Sequence, residues 1–108
     1  MKGEAFDVRA EDEARARTAQ AAELAKLTEE TDLQWLMSTQ QGRRVMWRLL
    51  SMSGVYRLSF AGEQTHETAF AEGARNIGLQ LMHDVQTLCP DLYAIMVEEQ
   101  RSARSRQS

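Results

Sequence analysis

The sequence has one cysteine, Cys89, one proline, Pro90, and no long apolar run. A single cysteine excludes an internal disulfide. With only two histidines, His66 and His83, standing well apart, it also leaves little from which to build a zinc site. A reducing compartment is the simplest expectation. Nowhere do about 18 apolar residues follow one another, so no membrane-spanning helix is expected. Residues 1–10 are mixed in charge and lack the apolar stretch of a secretory signal, which points away from export. Positive charge is not in excess either. The net charge is −3 and the isoelectric point near 5.4, which excludes a protein that wraps nucleic acid through bulk electrostatics. There is no glycine-rich phosphate loop, no dinucleotide fingerprint and no internal repeat.

What is present is helix-forming material sized for one small domain plus tails, since 108 residues leave little over for a second core. The fold class read from it is all-α: three to four helices in a compact domain over residues 32–99, an extended helical arm over 1–31, and a flexible basic tail over 100–108. The arm carries eight acidic and five basic side chains, many alanines and few large apolar groups. Residues 10–30 favour helix because Ala, Glu, Arg, Gln, Leu and Lys lose little side-chain entropy there. Its thin stripe of Ala14, Ala21 and Leu24, with Leu27 beside it, suits an arm that orders against a partner.

From Asp32 the character changes. Leu33, Trp35, Leu36 and Met37 form an apolar cluster that a short helical segment delivers to a core. Ser38 followed by Gln41 fits a capping box, predicting a break and a new helix over 39–53. On that helix Val45, Leu49 and Met52 share a stripe that Met46 and Leu50 widen, and Gly54 stands where a left-handed cap belongs. The segment 55–60 reads as an extended connection and 61–64 as a turn. The clearest helical spacing follows over 65–88, in Phe70, Ala74, Ile77, Leu81, Val85 and Leu88. Gly73 and Gly78 within it suggest close approach of another helix. Cys89-Pro90 ends that helix, and Pro90-Asp91 opens a last one with Leu92, Ile95, Met96 and Glu99 on one face. The tail with Arg101, Arg104 and Arg106 is expected to fray.

Candidate chemistry is sparse. His66-Glu67-Thr68-Ala69-Phe70 begins like a zinc-protease helix, but Phe70 occupies the second histidine position, so Glu67 reads as an acidic residue in a first helical turn. Cys89 lacks a recognisable base and reads as a structural thiol. Adjacent carboxylates such as Glu29 with Glu30 diverge on a helix. The most informative polar set is Arg43, Arg44 and Arg48 with Trp47, since arginines beside an aromatic ring can hold phosphate or stack on a base. The competing reading pairs Arg48 and Arg57 with Glu72 or Asp84 and leaves Arg43 and Arg44 in water. No catalytic, metal or cofactor set can be named, and the chain is read as non-enzymatic.

An ordered set of motifs carries more. Asp32-Leu33-Gln34-Trp35-Leu36-Met37-Ser38-Thr39 is followed by Gly42-Arg43-Arg44-Val45-Met46-Trp47-Arg48-Leu49-Leu50, then Gly54-Val55-Tyr56-Arg57 and Phe60. Phe70-Ala71-Glu72-Gly73, Arg75-Asn76-Ile77-Gly78-Leu79, Cys89-Pro90-Asp91-Leu92-Tyr93 and Met96 complete it. Together they resemble a small family of tailed-bacteriophage proteins first named from a Bordetella podophage. The resemblance covers about two-thirds of the chain and leaves out residues 1–31 and the basic tail. It implies a product of the phage structural or morphogenesis genes, placed in the virion interior or at a vertex, and in the host cytoplasm during assembly. The implied partners are portal, internal core, ejection or capsid proteins, with several copies or a homo-oligomer in the assembly. A scaffold-like assembly factor and a small DNA-binding regulator using Arg43, Arg44, Trp47 and Arg48 are the alternatives. The expected protein-contact residues are Leu24, Leu27, Trp35 and Met37.

Overall fold

The computed structural model describes residues 7–57 and 66–107, the side chains of 66–68 excepted. Four α-helices make up the described chain: α1 (Val8–Met37), α2 (Gln40–Ser53), α3 (His66–Leu88) and α4 (Pro90–Gln107). Of the extended connection expected over 55–60, residues 55–57 instead turn, the Arg57 amide donating to the Gly54 carbonyl at 3.0 Å, while 58–60, the expected turn at 61–64 and the His66-Glu67 side chains lie outside the described residues. The chain divides into two units, Met1–Asp32 and Leu33–Ser108.

In the first unit, helix α1 starts at Asp7, whose carboxylate accepts a hydrogen bond from the Ala10 amide at 3.2 Å. That capping satisfies one of the amide donors every helix start leaves unpaired, and Glu11 sits in the first turn, where the helix dipole favours negative charge. Arg15 adds ion pairs to Asp12 at 2.6 Å and Glu11 at 3.9 Å, all on exposed side chains. Every side chain from 7 to 29 is exposed, including Leu24 and Leu27.

The sequence suggested an arm ending near residue 30 and a separate short segment at 32–37. The helix instead runs unbroken to Met37. No glycine or proline occurs between residues 8 and 37, so nothing in the backbone interrupts it.

The second unit gathers the end of α1 with α2, α3 and α4. Helix α2 packs on α3 and α4, and α3 packs on α4. The enclosed side chains are Met37, Met46, Leu50, Val55, Val85 and Met96, with Leu33, Leu36, Trp47, Leu81, Met82, Cys89, Leu92 and Tyr93 packed around them. Half of the enclosed set is methionine, the residue whose unbranched, polarisable side chain best fills irregular gaps between short helices.

One end of α2 departs from the sequence expectation and the other follows it. Thr39, not Ser38, caps α2, accepting from the Gly42 amide at 3.0 Å, while the Ser38 hydroxyl turns back to donate to the Trp35 carbonyl at 2.6 Å. A capping box needs a long polar side chain three residues after the cap. Gly42 stands there, because a Cβ at that position would run into the Leu36 carbonyl. At the other end Gly54 takes φ 81° and closes α2 as expected. Gly78 fits the expected close approach, since a Cβ there would meet Ser53 and Val55, whereas Gly73 has open space around it.

The basic tail does not fray from residue 100. Helix α4 continues to Gln107, with Arg104 and Arg106 in its last turn, where the helix dipole favours positive charge.

Candidate protein-interaction surface

The turn between α1 and α2 is held by one arginine. Arg43 donates from Nε and Nη2 to the two carboxylate oxygens of Glu99 on α4, at 3.0 and 2.8 Å. Its third nitrogen, Nη1, donates to the Met37 carbonyl at 3.0 Å. The guanidinium therefore closes the orphaned carbonyl end of α1 while clamping α2 to α4 with a two-pronged pair. Both side chains are largely sheltered, 11% exposed for Arg43 and 22% for Glu99. The hydrogen bonds from Arg43 hold the Glu99 carboxyl below the usual carboxylate range, against an opposing effect of burial, with smaller help from the positive charges of Arg43 and Arg44. The same hydrogen bond raises the Arg43 guanidinium above its ordinary value.

This arrangement corrects the expectation that Arg43 faces water. The expected nucleic-acid set is divided accordingly: Arg43 is engaged, Arg44 and Arg48 are exposed on α2, and Trp47 is half-buried. The Trp47 ring stacks on Tyr56, centroids 5.0 Å apart and planes 26° from parallel. The Tyr56 hydroxyl in turn meets the Tyr93 hydroxyl at 3.0 Å, and burial, with that hydrogen bond second, pushes the Tyr56 phenol well above its ordinary value. One face of the indole is thus already covered by protein, while Arg44 and Arg48 keep their charged side chains exposed.

The expected contact residues also divide. Met37 is fully buried and belongs to the core, not to a surface; its side chain sits under the α1–α2 turn that Arg43 closes. Trp35, two residues earlier and on the opposite side of the helix, is 72% exposed. It lines an open groove of about 380 Å³ together with Leu36, Thr39, Gln41, Gly42 and Val45.

Sequence reasoning missed which side of α2 stays uncovered. Of the expected apolar stripe, Met46 and Leu50, read as widening it, are buried together with Gly42, whereas Val45, Leu49 and Met52 are 47%, 42% and 66% exposed. The apolar arc of α2 is wider than its packing uses. The signal that could have fixed its rotation was Gly42, the one position on α2 with no side chain, which is where the backbones approach.

Helix α3 shows the same excess. Phe70 is 79% and Ile77 62% exposed, although both lie on the helical spacing read from the sequence. On α4, Met96 is buried and Leu92 and Glu99 are half-buried as one face, while Ile95 is exposed. Cys89 is half-buried, and burial raises its thiol above the ordinary value, away from the thiolate a nucleophile needs. Among the described residues no three His, Cys, Asp or Glu side chains converge as a metal would require. No helix among them is long and apolar enough to cross a membrane.

The described residues therefore define a small all-α protein whose compact unit leaves apolar side chains exposed on α2 and α3, apart from a small polar cleft lined by Gln40, Ile95, Glu98, Glu99, Ser102 and Arg106. The chain belongs to the family of Bbp19-like phage proteins, whose family model matches residues 33–98. That span begins where the second unit begins and covers the whole enclosed core, the Arg43–Glu99 pair falling one residue short of complete. No match was found among curated proteins, and none among solved structures.

Proposed function

We propose that this phage protein is a non-enzymatic component of the virion, associated with the portal, internal core or ejection apparatus and acting through protein–protein contacts. The observation that carries the reading is the uncovered apolar surface of the family-matched unit, Trp35, Val45, Leu49 and Met52, on a domain small enough to benefit from covering it. A DNA-binding role is disfavoured because Glu99 engages Arg43 and Tyr56 covers one face of Trp47.

Mass spectrometry of purified mature virions and of empty precursor shells, with the protein quantified against the major capsid protein, tests the proposal. A fixed low copy number in mature virions is the expected result. Presence in precursors alone would replace it with a transient assembly factor, and absence from both particles would overturn a particle role.

A further inference from the structure

The exposed stripe on α2 has a charge signature as well as an apolar one. Helix α2 contains three arginines and no acidic residue. With Arg43 engaged by Glu99, the two that remain exposed, Arg44 and Arg48, are one helical turn apart and border the Val45–Leu49–Met52 side. Two copies of α2 packed face to face would bring these arginines together, which opposes a symmetric α2–α2 contact. The surface calls for an amphipathic helix with acidic flanks.

The chain carries such a helix. Within 7–32 there are eight acidic and four basic side chains. Ala21, Leu24, Leu27 and Thr31 recur at the three-three-four spacing of one helical face, and Glu23 and Glu30, two helical turns apart, run along its edge. Leu24 is 64% and Leu27 49% exposed. The stripe is thin and its flank acidic, whereas the α2 stripe is broad and its flank basic.

We infer that the partner of the α2 surface is a second copy of this chain, whose α1 lays Leu24 and Leu27 on Trp35, Val45, Leu49 and Met52 while Glu23 and Glu30 face Arg44 and Arg48. Reciprocal exchange between two copies repeats the contact about a two-fold axis, so each modest helix-on-helix patch is counted twice in the dimer. The inference does not depend on where in the particle the protein resides.

Sedimentation equilibrium of the full chain over a concentration series tests it, with circular dichroism melts reporting separately whether each variant folds. The wild type is expected to dimerise. Arg44→Glu with Arg48→Glu, or Glu23→Lys with Glu30→Lys, should each weaken the dimer by about tenfold or more, and combining all four should recover most of the loss. The Glu23 and Glu30 variants alter only exposed or half-buried positions outside the core unit, so they remain informative if the α2 variants lose stability. A chain that stays monomeric at every concentration, a dimer indifferent to both swaps, or a failure of the combined swap to restore affinity would each overturn the inference. A monomer that is nevertheless found in virions would overturn the exchange alone and leave the virion reading standing.

Discussion

Residues 8–29 and the helical segments of the second unit, 33–37, 40–53, 66–88 and 90–107, are helical for different physical reasons. The first stretch is helical through its own composition: a capped start, many alanines, and carboxylates and arginines spaced to pair along the surface, with every side chain exposed. The second contains glycine within two of its helices and is held by burial, with six enclosed apolar side chains and one sheltered ion pair. Local propensity contributes a few tenths of a kcal/mol per residue, whereas enclosing one large apolar side chain contributes about 1.5–3 kcal/mol. Substitutions should therefore have small effects on the stability of the monomer in the first region and large ones in the second.

The largest expected effects break the second region. Met96→Ala removes a fully enclosed side chain and should cost about 2–5 kcal/mol in urea unfolding. Gly42→Ala forces a methyl group against the Leu36 carbonyl, a backbone atom that cannot move aside without opening the α1–α2 turn. A loss of about 3 kcal/mol is expected, and a neutral result would mean that the turn is looser than the close approach implies.

Glu99→Gln comes next, at about 1–2 kcal/mol, because the pair is sheltered but not sealed from water. Its sign with pH is specific. The folded-state carboxyl is held below its ordinary value, so its contribution is complete above a pH of about 4.3 and is lost as pH falls through the lowered folded value. The gap in stability between wild type and Glu99→Gln should thus be constant from neutral pH down to that point and then close; urea unfolding across the series measures it. A gap that persists into strong acid would show that the loss comes from packing alone.

Two smaller changes sharpen the comparison from the other side. Gly73→Ala meets open space on an exposed part of α3 and should stabilise by about 0.5–1 kcal/mol, the opposite sign to Gly42→Ala from the same substitution. Leu24→Ser, on the exposed arm, should shift the unfolding of a dilute, monomeric sample by no more than about 0.5 kcal/mol. Amide hydrogen exchange would show the contrast without any substitution, with fast exchange over residues 8–29 and protection concentrated on α2, α3 and α4.

Much of this was legible before the structure. The helical class, the left-handed cap at Gly54, the opening of α4 at Pro90 and the close approach at Gly78 follow from residues that permit few alternatives. The rotation of each helix was not legible. Val45, Leu49 and Met52 have the same spacing as Gly42, Met46 and Leu50 to within one residue, and a periodicity of 3.6 cannot rank two overlapping apolar stripes on one helix. The spacing of Phe70 and Ile77 likewise marks a helix without fixing which side of α3 packs. The Arg43–Glu99 pair spans 56 positions, a separation at which no local pattern indicates a partner. The tail was underestimated because its composition offers nothing to bury, although its basic residues sit favourably in the last turn of α4.

The sequence by itself determined that the chain is helical, where three of its helix ends fall, and that it belongs with a family of phage proteins, because caps, breakers and ordered motifs act within a few residues of where they are written. Only the tertiary structure decided which apolar residues are enclosed and which are left as surface, and which of three arginines becomes internal. Those outcomes depend on how closely the backbones can approach at Gly42 and Gly78, a property of the packed assembly of helices and of no single one of them.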